Sequence, residues 1–140
     1  MVGNLCTPYY EPGSRITGRA TGAAVVGKTF ICVAADKDPG SRELDPAATG
    51  GNVKIKTAVA ADATAGHVIG VAEHDAAQNK LTPFLRGGFV VPVTAGAALN
   101  AGDLVTAGAN GKAVAAAANR PAGVALAAAA VDQDAIILLF

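Results

Sequence analysis

Tryptophan is absent from this 140-residue chain, and aromatic residues make up only 4% of it. The hydrophobic fraction is nevertheless 51%, so most of the apolar content is aliphatic and small, with alanine prominent. Such side chains suit thin, close-packed layers better than a core built on large rings. Charge of one sign is missing too: 11 Lys and Arg balance 11 Asp and Glu. A chain with no basic excess lacks the footprint that neutralises phosphates, which excludes an ordinary nucleic-acid binder. A net charge near zero also does little to keep copies apart, so self-association is expected. No run reaches the ~18–20 uninterrupted apolar residues of a membrane span. The longest candidate, 113–131, is broken by Asn119, Arg120, Pro121 and Gly123. The first fifteen residues have neither a basic start nor an apolar stretch, so no secretory signal is read there and a soluble protein is expected. The two cysteines, Cys6 and Cys32, form no C-x-x-C pair. They read as unpaired small hydrophobes in a reducing compartment.

Glycine and proline are plentiful, 17 and 7, and they punctuate the chain. In the first 19 residues Pro8, Pro12 and Gly13 bracket Tyr9, Tyr10 and Glu11, with no period of 2 or 3.6. Proline fixes φ and pushes its predecessor toward extended geometry, so 1–19 reads as an extended N-terminal arm. From 28 onward short apolar, β-rich runs alternate with turn signals. The strands are placed at 28–34, 52–60, 67–74, 89–95, 103–108, 112–117, 122–129 and 135–140. Alternation is clearest where Val53, Ile55 and Thr57 face away from Lys54 and Lys56. Asn110-Gly111 tolerates positive φ at both residues, which predicts antiparallel pairing of 103–108 with 112–117. The fold class is all-β, a small barrel or sandwich.

The chain also repeats itself. TGAAVVGKTFI (21–31) aligns without gaps to AGAALNAGDLV (95–105), an offset of 74 (95 − 21). GVAEHDA (70–76) matches GVALAAA (123–129), an offset of 53 (123 − 70). The same landmarks recur in the same order, so one all-β domain over 20–140 is built from half-units of about 20–87 and 94–140. The first is longer because 36–51, charged and rich in Pro and Gly, is inserted as a surface loop. Neither half alone has strands enough to cover both faces, whereas two together close a core.

One enzymatic motif needs an answer. Gly22–Thr29, GAAVVGKT, satisfies the G-x-x-x-x-G-K-[ST] pattern, in which Lys28 would reach the β/γ-phosphates and Thr29 a Mg²⁺. A phosphate loop follows a buried strand and opens a helix whose N-terminus holds the anion. Here SRITGRA precedes it and FICVA follows, a strand pattern. In the second copy Gly102 and Asp103 stand where Lys28 and Thr29 stand, so the same turn occurs with no phosphate chemistry. His67 and His74 read as polar residues near strand ends, and no cluster has metal-ligand spacing. No enzyme, metal or cofactor is expected; a P-loop NTPase stands as the alternative the motif must be tested against.

Taken in order, PYYEPGSRIT (8–17), KTFICVA (28–34), HVIGVAEHDA (67–76), GGFVVPVTAGAALNAGDLV (87–105), NGKAV (110–114), RPAGVALAAA (120–129) and AIILLF (135–140) resemble the capsid decoration, or cement, proteins of tailed bacteriophages. The resemblance implies a β-barrel-like domain, trimeric, bound to the major capsid protein on the outer surface of the virion and made in the host cytoplasm. It would brace the shell, with neither nucleic acid nor membrane as a partner. The arm is the natural contact, with Leu5, Pro8, Tyr9, Tyr10, Glu11, Pro12 and Arg15 as candidate capsid-binding residues. A β-rich adhesin or tail-associated module is the other structural alternative.

Overall fold

In the computed structural model, residues 4–9, 15–34, 55–59, 68–117 and 120–140 are described. The inserted loop 36–51 and His67 lie outside them. Ten strands run in chain order: β1 (Ile16–Ala20), β2 (Phe30–Val33), β3 (Ile55–Val59), β4 (Val68–Ala72), β5 (Leu81–Leu85), β6 (Val90–Thr94), β7 (Leu104–Ala107), β8 (Ala113–Ala115), β9 (Gly123–Ala125) and β10 (Asp134–Leu139). The only helical element among the described residues is a 3₁₀ turn, Ala109–Gly111. The all-β expectation is met, and the alanine stretches at 113–117 and 127–130 form no helix.

The first five strands close into a barrel in the order β1-β3-β2-β4-β5, with β1 pairing β5. The last five form a sheet in the order β6-β10-β9-β7-β8. The two are copies. Phe30 pairs Val71 and Val71 pairs Leu85 in the first unit; Leu104 pairs Val124 and Val124 pairs Leu138 in the second. The offsets are 74 (104 − 30) and 53 (124 − 71, 138 − 85), those of the sequence alignment. The turns repeat as well: Val25 bridges Ala76, and Leu99 bridges Ala129. Duplication thus reaches the strand register, although two strands of the first unit, β1 and β5, escape the sequence pattern. β1 starts at Ile16, inside the stretch read as arm. β5 carries Pro83, which argues against a central strand.

Two apolar clusters divide the interior. Ala20, Val25, Ile31, Ala72, Ala76 and Phe84 fill the closed barrel. Alternation puts Phe30, Val71 and Leu85 on the opposite face of the same strands. These three are fully buried, in one cluster with the inner face of the second sheet, including Val91, Val93, Val105 and Ile137. At roughly 1.5–3 kcal/mol for each large apolar side chain buried, this seam is a principal source of stability. The second sheet lacks the full closure of the first. Where β1 and β3 share a three-residue parallel ladder, their counterparts meet only at Ala95 and Ala113. The Asn-Gly hairpin pairs β7 with β8 antiparallel as expected, with Asn110 and Gly111 both at positive φ. A Cβ on Gly111 would meet the Phe30 carbonyl at 2.7 Å, so the hairpin tip presses on the first unit.

Candidate functional site

The N-terminal segment is held by strand carbonyls, one of them left open by a proline that cannot donate. In β5 the Pro83 carbonyl accepts from the Glu73 N–H at 3.0 Å. The reciprocal donor that would satisfy the Glu73 carbonyl is missing, because proline has no N–H. The Cys6 N–H donates to that carbonyl instead, at 2.5 Å. On β6 the Pro92 carbonyl accepts the Cys6 thiol at 3.2 Å, and the Val90 carbonyl accepts the Tyr9 N–H at 2.6 Å. The Asn4 amide donates to both carboxylate oxygens of Asp75, which also accepts from the Gly27 N–H. Cys6 is wholly buried, and desolvation pushes its thiol up to about 12, so it remains a neutral donor.

With Cys6 turned inward, its neighbours turn out. Leu5 is 54% exposed and Tyr9 61% exposed, while Pro8 is half-buried. The Arg15 side chain pairs with Glu73 at 3.0 Å. The fold therefore brings Leu5, Pro8 and Tyr9 onto one short anchored segment. Tyr10, Glu11 and Pro12 lie outside the described residues. Composition alone did not reveal the anchor. The signal was available in Pro83, whose missing N–H leaves a hydrogen-bond position open in a strand.

The loop that matches the phosphate-binding pattern has a different geometry. Thr29 is buried and its hydroxyl donates to the Val26 carbonyl at 2.6 Å; the next residues enter β2, not a helix. The Lys28 ammonium is paired with Asp134 at 2.9 Å, joining the two units. Its backbone φ is +61°, and Gly102, its counterpart, has φ +90°. This is a left-handed turn that glycine occupies without strain and that lysine occupies at a cost. Elsewhere, the His74 ring nitrogen Nδ1 bonds the Asp75 carbonyl at 2.8 Å, a local backbone contact. A cleft between the units, lined by Val68, Gly70, Thr106, Pro121 and Phe140, carries the charged side chain of Arg120. Among the described residues no group of His, Cys, Asp and Glu is placed to hold a metal ion.

The chain is similar to the base of a phage fibre. It matches the crystal structure of the head fiber gp8.5 N base of bacteriophage phi29 with a TM-score of 0.63. The match has 21% identity and covers 91% of this chain and 93% of that one. At this identity the likeness establishes the fold. No curated protein sequence matches significantly. The family described as phage cement protein matches residues 10–139, nearly the whole two-unit body. The chain belongs to the phage cement protein family.

Proposed function

We propose that this protein is a non-enzymatic decoration protein that binds the major capsid protein on the outer surface of a phage head. It acts as a homotrimer and braces the shell, and it reaches the virion from the host cytoplasm. The observation that carries the reading, beside family membership, is the anchored segment that presents Leu5, Pro8 and Tyr9 to solvent. Apolar and aromatic groups held on a rigid support lose little conformational entropy on docking, which is how a small contact becomes useful. Tyr10, Glu11, Pro12 and Arg15, which follow in sequence, are the remaining candidate contacts. Three copies engaging three sites gain avidity of roughly 10²–10⁴ over one contact, so each need be only modest. The balanced charge fits a protein partner rather than nucleic acid.

Co-sedimentation with expanded empty phage heads tests this. Deleting the segment is a poor probe, because it strips Cys6 from the core. The variant Leu5→Ser/Tyr9→Ser leaves Cys6 in place and is expected to melt like the parent while losing most head binding. Unchanged binding removes the segment from the contact. A parent protein that binds no heads defeats the reading as a whole.

A further inference from the structure

Thr106 breaks a rule that the other buried threonines keep. The hydroxyls of Thr29, Thr57 and Thr82, all buried, donate to carbonyls of their own chain, those of Val26, Arg19 and His74. Thr106 is only 3% exposed, yet its hydroxyl has no partner among the described residues. Buried polar groups are ordinarily bonded, so an exception calls for a cause. The oxygen is not sealed off as Arg19 Nε is, and it opens onto the cleft between the units that Thr106 lines. Arg120 stands in the same cleft, exposed and in no ion pair with a described residue.

The cleft lies where the ladder of the first unit stops short. In the second unit the Phe140 N–H donates to the Ala122 carbonyl at 3.0 Å, which prolongs the pairing of β9 with β10. The counterparts of Ala122 and Phe140 are Ile69 and Gly87, at the offset of 53 (122 − 69, 140 − 87), and both line the cleft. They make no such bond, because the chain leaves β5 here for the second unit and the Gly88 N–H donates to the Leu139 carbonyl at 2.9 Å. A Cβ on Gly87 would meet the Phe140 carbonyl at 2.6 Å, so one side of the cleft is bare backbone. With Val68, Pro121 and Phe140 as apolar walls it holds about 280 Å³. That is just under the roughly 300–1,000 Å³ of small-molecule sites, and it suits a side chain or two on an extended backbone.

We infer that this cleft takes an extended segment of the capsid protein through an acidic side chain. The Arg120 guanidinium donates to the carboxylate with its planar fork, and the Thr106 hydroxyl donates a further hydrogen bond. Charge complementarity selects the carboxylate: among the described residues lining the cleft Arg120 is a cation and none is Asp or Glu. The identity of the partner rests on the decoration reading proposed above, to which the cleft adds a contact beside Leu5 and Tyr9. The chemistry of the segment does not depend on it.

Titrating the isotope-labelled full chain with the peptide acetyl-Val-Val-Glu-Val-Val-amide reads the site without heads. The backbone amide signals of Ile69, Gly70, Thr106 and Ala122 should move and saturate. Arg120→Gln, and separately a peptide with Gln in place of Glu, should each weaken binding roughly tenfold. Thr106→Val should weaken it about three- to tenfold. That variant replaces an unbonded hydroxyl by a methyl group and should melt no lower than the parent, which separates lost binding from a lost fold. Signals that do not move, or that move equally in Arg120→Gln, overturn the inference. Sodium butyrate binding as tightly as the peptide would make this a site for free carboxylates and overturn the peptide segment. In co-sedimentation Arg120→Gln should coat expanded heads less than the parent does; equal coating removes the capsid protein as the source of the segment. A parent that binds the peptide but coats no heads upholds the acidic-segment site and defeats the decoration reading, so the two failures are told apart.

Discussion

Phe30 and Leu104 occupy the same place in two copies of one five-strand pattern, yet one is inaccessible and the other half exposed. Their strands pair in the same register, and their neighbours Ile31 and Val105 are both buried. Local structure is therefore not what separates them. The first unit closes its own barrel and then lends its outer face to the seam. The second meets its closing partner at one bridge and shares its inner face with the first unit. Duplicated halves fold alike and then diverge through what covers them.

Truncating the two equivalent positions should expose that divergence most sharply. Phe30→Ala removes a fully buried ring and should lower stability by about 3–5 kcal/mol in urea unfolding. Leu104→Ala, at the equivalent place, should cost about 0.5–1 kcal/mol. Equal costs would mean that the seam does not distinguish the faces. Next in size are two glycines of the second unit, both at positive φ. Gly111→Ala combines backbone strain with a contact onto the Phe30 carbonyl and should cost about 2–4 kcal/mol. Gly102→Ala, with open space around it, should cost about 1–2 kcal/mol, from strain alone.

The Cys6 anchor at the seam gives a pH signature. Burial holds its thiol at about 12 against an ordinary 9.0. The unfolded chain loses this proton first, so the contribution is complete below pH 9 and falls as pH rises toward 12. Stability measured across that range should decline, and Cys6→Ala should flatten part of the decline. Cys32, also raised by burial, supplies some of the remainder. The smallest effect expected is from Lys28→Gly. Relief of the left-handed lysine, about 1 kcal/mol, opposes loss of a partly exposed ion pair, so the net change should lie within about 1 kcal/mol. Neither protein should show a Mg-ATP thermal shift. A shift present in the parent and lost in Lys28→Gly would restore the nucleotide-loop reading.

Much of this fold is legible in the residues. Alternation and turn chemistry locate most of the strands, including the hairpin at Asn110-Gly111, and the offsets of 74 and 53 carry over to the strand register. β1 is not legible, because Arg19 and Gly18 break its apolar pattern; its place comes from pairing with β3 and β5. β5 is masked by Pro83, whose missing N–H becomes the point where the Cys6 segment enters. The candidate contact segment is legible as an arm, whereas its anchoring depends on carbonyls of strands β4 and β6, more than 65 residues away in sequence.

By itself, the sequence determined an all-β chain made of two related units, with apolar residues at alternating positions and glycine or its substitutes at the turns. These are short-range consequences of sterics and periodicity, so neighbouring residues suffice to specify them. Only the tertiary structure decided which copy closes, which leucine face is covered and whether Lys28 meets a phosphate or Asp134. Burial and pairing between distant strands depend on the whole surface that each element finds opposite it, and identical local patterns can meet different surfaces.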